Sequence, residues 1–355
     1  MKTFRAPGRV NLIGDHTDYN EGFVLPLAID LECSVQATRR PDAVVHVTSL
    51  DVGLEVEVAA DGSTEPSEVE PAWGGYVAGV VRTLADRGRS PVGLEAIVSS
   101  TVPLGAGLSS SAALEVALAL ALCDAAGLQL PTLELARACQ EAELVATGVP
   151  VGIMDQLASL AGRRGHALLI DCRSLAVEPI PLPAGLTVVI VHSGVSRTLV
   201  GSAYAERRRT CELVAARLGL RTLREATAEQ VADEPRARHV VSENARVLEA
   251  ARALSAGATD ELGPLLAASH ASLRDDFEVS TPALDALVEE LVEAGAIGAR
   301  LTGAGFGGCV VGLASRDKAE TIVEQAAGRY RTRTGRQPRA FLCGPADGAG
   351  AVPER

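Results

Sequence analysis

The chain has 355 residues, of which 47% are hydrophobic and 22% charged, a composition typical of a globular protein with a sizeable core. One hydrophobic core rarely serves more than about 250–300 residues, so we expect two domains. The formal net charge is −12, and an acidic surface repels phosphodiester backbones and anionic lipids, so we expect no nucleic-acid partner and no membrane partner.

Targeting signals are not visible in the sequence. The N-terminus has no charged segment followed by an apolar one, and the most apolar segment, 112–126, is interrupted by Glu115 and Asp124. We therefore expect neither a signal peptide nor a membrane span, and a cytoplasmic location. The seven cysteines are odd in number and contain no CxxC pair, which favours reduced thiols.

The order of apolar runs predicts a mixed fold. Strands are predicted at 10–13, 24–27, 34–38, 44–48, 54–58 and 94–99. A helix after Ser109 and a second over 133–147 precede predicted strands at 167–171 and 186–193. Further helices are predicted at 204–218, 236–255, 262–276 and 282–294, followed by two apolar stretches around a glycine-rich turn. Regular βαβ alternation is missing, so we predict α+β domains that meet near residues 165–185.

The segment 103–113, PLGAGLSSSAA, has the composition of a phosphate-binding loop. Gly105 and Gly107 permit close backbone approach, and the N-terminus of the following helix offers free N–H groups and a positive dipole end. Only two lysines exist, Lys2 and Lys318, so neither a Walker A loop nor a protein-kinase lysine can be formed. The alternative is a glycine-rich turn that caps a buried helix.

Polar residues are concentrated after the first predicted strand, in GRVNLIGDHTDYNEG at 8–22. Carboxylates accept hydrogen bonds from sugar hydroxyls, and an imidazole can donate or accept. This combination predicts a site for a polyhydroxylated ligand. The alternative for His16 is a satisfied surface histidine.

Two carboxylates and a second glycine loop complete the candidate site. Asp155 lies in the apolar segment GVPVGIMDQLAS and needs a partner if buried, which suggests a base paired with an arginine. The alternative is a helix N-cap, and for Glu143 it is a solvated helix face. The segment 301–309, LTGAGFGGC, predicts backbone packed against a ligand or another loop, or else a tight turn.

Together these segments resemble the galactokinase branch of the family that groups galactokinase with homoserine, mevalonate and phosphomevalonate kinases. The three glycine-rich segments are similar to the motifs of the wider family, and the first is typical of the branch. Further similar stretches cover most of the chain: GIMDQ at 152–156, SAYAERRRTC at 202–211, RHVVSENARVL at 238–248 and SHASLRDDFEVSTPALD at 269–285.

The resemblance implies a role for individual residues. Asp155 matches the catalytic aspartate, and Arg9 its partner near the transferred phosphoryl group. Sugar contacts are implied for Asp15, His16, Thr17, Asp18, Gly152 and Tyr204. Ser49 is implied as a nucleotide contact, and the triphosphate cradle consists of Gly105, Ala106, Gly107, Leu108, Ser109, Ser110 and Ser111. Ser111 and Glu143 are implied as Mg²⁺ ligands.

The implied fold is α+β with two domains and the active site between them. Residues 1–175 would form a ribosomal-protein-S5-like domain that binds nucleotide and sugar, and residues 176–355 a ferredoxin-like domain whose last strand is a candidate to return to the first domain. The implied reaction is phosphoryl transfer from ATP to the C1 hydroxyl of α-D-galactose, by a monomer or weak homo-oligomer. The alternatives are a kinase of another sugar, such as N-acetylgalactosamine or arabinose, and a non-catalytic sensor of sugar and ATP.

Two departures from the family pattern stand out. Galactokinases usually carry Glu where this chain has Asp15, so we expect weaker discrimination against sugars that lack the hydroxymethyl group, with galactose still a substrate. Only seven residues precede Gly8, fewer than is usual, and we expect this to affect how one side of the sugar pocket is closed.

Overall fold

The computed structural model describes residues 1–195 and 200–353. Strands and helices are numbered here in chain order. The largest sheet has six strands in the order β13-β1-β3-β6-β4-β5. Their bounds are β1 (Lys2–Asn11), β3 (Pro26–Arg40), β4 (Val44–Ser49), β5 (Leu54–Ala59), β6 (Gly93–Ser100) and β13 (Gly350–Ala351). Neighbouring strands are antiparallel except β4 and β6, which are parallel.

Four helices accompany this sheet: α1 (Gly74–Ala85), α2 (Ser110–Ala126), α3 (Thr132–Thr147) and α4 (Met154–Ala161). The sequence of α2 is alanine and leucine on nearly every side, so it is buried between β1, β3 and the other helices. Helices α1 and α3 approach closely because Gly79 has no side chain, and a Cβ there would lie 2.6 Å from the Ala142 carbonyl oxygen.

A smaller sheet of three strands lies beside the first. It consists of β2 (Phe23–Val24), β7 (His166–Asp171) and β8 (Ala176–Pro181), in the order β2-β7-β8. The domain boundary predicted at 175–176 falls in the turn between β7 and β8, which pair with each other. The division into 1–175 and 176–355 stays a prediction.

The rest of the chain forms a four-stranded antiparallel sheet and its helices. The strands are β9 (Leu186–His192), β10 (Gly298–Leu301), β11 (Cys309–Ser315) and β12 (Arg339–Cys343), in the order β10-β11-β9-β12. The helices are α5 (Val200–Arg217), α6 (Pro235–Ala256), α7 (Leu262–Asp275), α8 (Pro282–Glu293) and α9 (Ala319–Thr334). The predicted α+β architecture is confirmed.

Strand β9 separates two hydrophobic cores. Val188 and Ile190 belong to the large core that continues to the six-stranded sheet, whereas Val189 and Val191 belong to a second core with α8 and α9. Because successive side chains of a strand point to opposite faces, a continuous apolar run serves both cores. Within the described residues, no helix is long and apolar enough to cross a membrane.

Candidate active site

A cavity of about 790 Å³ is lined by residues from both halves of the chain. The loop after β1, the loop before α2, the start of α4 and the glycine loop before β11 all reach it. Of the predicted site residues, it is lined by Arg9, Asp15, His16, Asp18, Gly105, Gly107, Ser109, Ser110, Ser111, Glu143, Gly152, Asp155 and Tyr204. The folded chain thus brings together four parts of the sequence: 9–18, 105–111, 143–155 and Tyr204.

Asp155 and Arg9 form a two-pronged ion pair in this cavity. Arg9 donates from Nε to Oδ1 and from Nη2 to Oδ2 of Asp155, both at 2.8 Å. The third donor of the guanidinium, Nη1, bonds the Gly107 carbonyl oxygen at 2.8 Å and so ties the pair to the phosphate loop. The Arg9 side chain is 6% exposed and that of Asp155 27%, so the carboxylate is the partner that reaches into the cavity.

The local backbone structure sets the direction of the Arg9 and Asp155 side chains. The register between β1 and β3 shifts between Pro7 and Arg9, and such a bulge redirects the side chain that follows it. Ser159 of α4 donates to the Pro7 carbonyl oxygen at 2.7 Å, which fastens α4 to the bulge. Asp155 is the second residue of α4, and the N-cap is Ile153, so the alternative interpretation of Asp155 as an N-cap is wrong.

The phosphate loop ends at Ser109, which occupies the N-cap position of α2 in a left-handed conformation (φ 59°, ψ 47°). Its hydroxyl does not cap the helix but donates to Asp155 instead. The N–H groups in the first turn of a helix have no intrahelical partner, and Ser110 and Ser111 of this turn line the cavity. Gly105 (φ 69°) and Gly107 (φ 80°) have the positive φ that glycine adopts without strain.

Glu143 faces this helix end and forms the acidic side of the cavity. Ser111 donates to its Oε1 at 3.1 Å, and Gln156 donates to its Oε2 at 2.7 Å. Burial, and then the charge of Asp155, raise the pKa of Glu143 to about 7. Glu143 is therefore not a solvated residue of a helix face.

The two oxygen donors fit the predicted Mg²⁺. The described residues contain no group of three or more histidine, cysteine or acidic side chains that could hold a metal ion. Mg²⁺ does not need such a group, because it usually takes one or two protein ligands together with phosphate oxygens and water. A carboxyl whose pKa is raised by neighbouring negative charge is one that a cation would stabilise in its ionised form.

A third carboxylate that lines the cavity is that of Asp18. Burial, and then the charge of Asp155, raise its pKa to about 6. Its side chain packs on Gly152, where a Cβ atom would lie only 1.7 Å from Asp18 Oδ2. Glycine is therefore required at position 152 if Asp18 is to face the cavity as it does.

Aromatic side chains form the wall next to Asp18. The imidazole of His16 lies 4.5 Å from the Phe277 ring and 5.7 Å from the Tyr204 ring, centre to centre. Its Nδ1 is hydrogen-bonded to the Tyr19 hydroxyl at 2.9 Å. Burial lowers the pKa of His16 well below its usual value, so the imidazole is neutral. This wall offers an apolar face with polar groups at its edge.

Asp15 connects the loop after β1 to the second glycine loop. Its Oδ1 accepts from the Gly303 N–H at 3.0 Å, and its Oδ2 accepts from Nη2 of Arg300. The Arg300 side chain is fully buried and that of Asp15 is 3% exposed. Asp15 thus ties the loop after β1 to β10 through the buried ion pair and to the second glycine loop through Gly303.

Four predicted residues do not line the cavity. Thr17 is fully buried, and its hydroxyl lies 2.7 and 2.6 Å from the carbonyl oxygens of Gly14 and Phe23, so it holds the loop together. Ala106 and Leu108 point into the core behind the phosphate loop. Ser49 lies at the end of β4.

The prediction missed the cavity wall beside α1. Trp73 and Tyr76 line this wall, and the cavity is also lined by Leu114, Val151, Met154, His192 and Arg339, which were not singled out. Trp73 is the single tryptophan of the sequence, and a large aromatic residue followed by Gly74 and Gly75 was a usable signal. Val151 and Met154 lie in the segment GVPVGIMDQLAS, of which only Gly152 and Asp155 were predicted as site residues, and His192 and Arg339 lie in strands without a distinctive local pattern.

Three protein-family models match segments of the chain. The model described as "GHMP kinases N terminal domain" matches residues 75–163, and "GHMP kinases C terminal" matches 248–332. The model "Galactokinase galactose-binding signature" matches residues 2–39, which include Arg9, Asp15 and Asp18.

Individual relatives agree with these matches. The galactokinase of Roseiflexus sp. (strain RS-1) is 46% identical over 363 residues that cover 98% of this chain and 92% of the relative. The crystal structure of Lactococcus lactis galactokinase complexed with galactose is 33% identical and superposes with a TM-score of 0.93 over 99% of this chain and 95% of that one. L. major mevalonate kinase, 20% identical with a TM-score of 0.69 over 99% and 97% of the two chains, shares the fold. The chain belongs to the galactokinase family of the GHMP kinases.

Proposed function

We propose that the protein is a galactokinase that transfers the γ-phosphoryl group of ATP to the C1 hydroxyl of α-D-galactose, giving galactose 1-phosphate and ADP. The observation that carries this proposal is the ion pair of Arg9 and Asp155. It lies where the phosphate loop meets the galactose-binding segment, bonded to Gly107 on one side and to Ser109 on the other. A base in this place has the acceptor hydroxyl and the phosphoryl donor within the same cavity.

The sugar binds against the wall that Asp18, His16 and Tyr204 form. The Asp18 carboxylate accepts hydrogen bonds from ring hydroxyls, and the neutral imidazole of His16 packs with the aromatic rings. Gly152 leaves room for the Asp18 side chain. Asp15 and Thr17 support this half of the site from behind.

The nucleotide binds along the other half. The N–H groups of the first turn of α2 and the glycines of the loop hold the phosphates, since anions bind at helix N-termini without lysine. Trp73 and Tyr76 form an aromatic wall that suits the adenine ring. Ser49, at the end of β4, remains a proposed nucleotide contact.

In the transfer, the C1 oxygen forms a bond to the γ-phosphorus while the bond from that phosphorus to the β–γ bridging oxygen breaks, and ADP leaves. Asp155 orients the C1 hydroxyl and receives its proton. Arg9 balances the charge of Asp155 and stabilises the negative charge on the transferred group. Catalysis of this kind depends on positioning and charge stabilisation, which the rigid guanidinium contacts supply.

Glu143 and Ser111 would hold Mg²⁺, which when bound neutralises charge on the β- and γ-phosphates. Gln156 keeps the Glu143 carboxylate aimed at the helix end through its 2.7 Å hydrogen bond. As part of the same proposal, the enzyme acts in the cytoplasm as a monomer or weak homo-oligomer.

A coupled assay of ADP release with Mg²⁺-ATP tests the reaction. Galactose, N-acetylgalactosamine, L-arabinose and glucose are compared as acceptors, and galactose should have the highest kcat/KM. A higher value for another sugar would transfer the proposal to that sugar. Binding of ATP and galactose in calorimetry without any turnover would identify a sensor instead.

A further inference from the structure

Helix α6 carries the sequence RHVVSENARVL, which the chemistry of transfer does not use. One face of α6 lies behind residues 14–23, which we call the sugar loop because they carry Asp15, His16 and Asp18. The helix belongs to the second half of the chain and the sugar loop to the first. Their contacts are side chain to backbone, so they bear directly on where the sugar loop lies.

Neighbouring residues of α6 hold the two ends of the sugar loop. Glu243 Oε1 accepts from the Gly14 N–H at 2.9 Å, and Asn244 Oδ1 accepts from the Phe23 N–H at 2.8 Å. One turn earlier, His239 Nε2 is hydrogen-bonded to the Asp15 carbonyl oxygen at 3.1 Å. All three side chains are buried, so water does not compete for these bonds.

Of these three side chains, which we call the anchors of the sugar loop, Glu243 is itself held in place by its neighbours. Glu243 accepts from Ser269 Oγ at 2.6 Å and from Arg246 Nε at 2.7 Å, so its buried charge is paired. Burial alone would raise the pKa of Glu243, but the neighbouring His239, the charges of Arg300 and Arg246 and the hydrogen bond from Ser269 together lower it to about 2. The carboxylate therefore stays ionised and keeps its acceptor geometry at every pH at which the protein is expected to work.

The fit between helix and loop is tight. A Cβ at Gly22 would lie 2.3 Å from Asn244 Oδ1, and one at Gly14 would lie 2.8 Å from a methyl group of Val247. A loop in such contact cannot shift toward the helix, and its hydrogen bonds prevent it from shifting away. Small displacements of catalytic or binding groups weaken their interactions strongly, so this restraint has functional weight.

We infer that Asn244 and Glu243 are positioning residues for the sugar, which set the affinity for galactose by holding both ends of the sugar loop. The inference rests on the proposed galactokinase function. It predicts that loosening an anchor weakens sugar binding while the nucleotide half of the site, on other elements, is unaffected.

The main test is Asn244→Leu, which removes the acceptor for the Phe23 N–H and has the same number of side-chain heavy atoms, compared with Asn244→Asp, which keeps the oxygen. We expect KM for galactose to rise about tenfold in the leucine variant, as for loss of one buried hydrogen bond, with KM for ATP and kcat within about twofold of wild type. The aspartate variant should keep KM for galactose near wild type. Glu249→Leu is the control, because Glu249 lies on the same helix with an exposed side chain.

Several outcomes would overturn the inference. They are an unchanged KM for galactose in a folded Asn244→Leu variant, an equal rise in KM for ATP, or the same loss in the aspartate variant. Circular dichroism checks folding, and if the leucine variant does not fold, Asn244→Ala is measured against the same expectations. Calorimetry of galactose with the wild type separates the two proposals. If the wild type does not bind galactose, the proposed function is rejected together with this inference. If it binds galactose and the Asn244 variants have the same KM for galactose as the wild type, this inference alone is rejected.

Discussion

Replacing Asp155 by Asn tests the centre of the proposed mechanism. The amide has the shape of the carboxylate but cannot receive a proton, and it keeps one oxygen for Arg9 or Ser109. We expect kcat to fall at least ~10²-fold, the range for loss of a general base, with KM for ATP changed little.

The structure also sets the cost in stability. The substitution leaves the guanidinium of Arg9, 6% exposed, without its anionic partner. Breaking a fully buried ion pair costs about 3–5 kcal/mol. The Asp155 side chain is 27% exposed and the Gly107 carbonyl oxygen still accepts from Arg9, so we expect about 1–3 kcal/mol, less than for full burial.

The measurement combines the coupled ADP-release assay with urea unfolding and calorimetry of ATP binding. Asp124→Asn is the matched control, because it makes the same chemical change in the ion pair with Lys2 on the surface. Near-normal turnover in a folded Asp155→Asn variant would refute the assignment of the base. Loss of ATP binding together with turnover would instead show that Asp155 holds the phosphate loop rather than the proton.

Three further predictions concern the phosphates, the cation and the buried ion pair. Gly107→Val should abolish ATP binding in calorimetry, because a branched residue cannot adopt φ 80° without strain. Lys2→Ala and Lys318→Ala should leave ATP binding unchanged, and loss of binding in either would contradict the proposal that backbone N–H groups hold the phosphates without lysine. Because the pKa of Glu143 is about 7, protons compete with Mg²⁺ for its carboxylate, and the affinity for Mg²⁺ should be about tenfold lower at pH 6 than at pH 8. Calorimetry of Mg²⁺ binding in buffers of different ionisation enthalpy should show that a proton is released. Because its pKa is raised, Glu143 of the metal-free folded protein still holds its proton at pH values at which the unfolded chain has lost it. The free energy of unfolding should therefore fall as the pH rises from 4.5 through about 7. Urea unfolding of Glu143→Gln should show a weaker dependence of this free energy on pH. Asp15→Asn should lower the free energy of unfolding by about 3–5 kcal/mol, since it leaves the Arg300 charge fully buried and unpaired, and a loss below about 1 kcal/mol would show that the pair does not hold the loops.

The sequence was most informative about backbone features that are encoded in local composition. Glycines with positive φ at positions 105 and 107, and serines at the start of α2, carry their backbone role in their own residue type. Most long helices were also predicted, since apolar residues at helical spacing mark one buried face. The strand β1 was predicted only from residue 10 onward, because its first half mixes polar and apolar residues.

Elements without a strong local pattern were missed. Helix α1 begins with Gly74 and Gly75, and glycine disfavours a helix on its own, so tertiary packing on α3 decides its conformation. Helix α9 is largely polar. Residues 165–185, near which the two domains are predicted to meet, contain β8, which was not predicted as a strand because of Pro179 and Pro181; β8 is an edge strand, where proline is tolerated.

Asp15 shows most clearly what a sequence cannot convey. Its difference from the usual glutamate was visible, and a side chain shorter by one methylene group suggested a weaker contact with the sugar. The structure adds that both of its oxygens already accept from protein donors, one of them Arg300, 285 positions away. A carboxylate so engaged has fewer lone pairs left for a hydroxyl of the ligand. We therefore interpret Asp15 as the residue that ties the loop after β1 to β10 and to the second glycine loop, and we expect an effect of Asp15 on sugar selectivity to act through the position of His16 and Asp18.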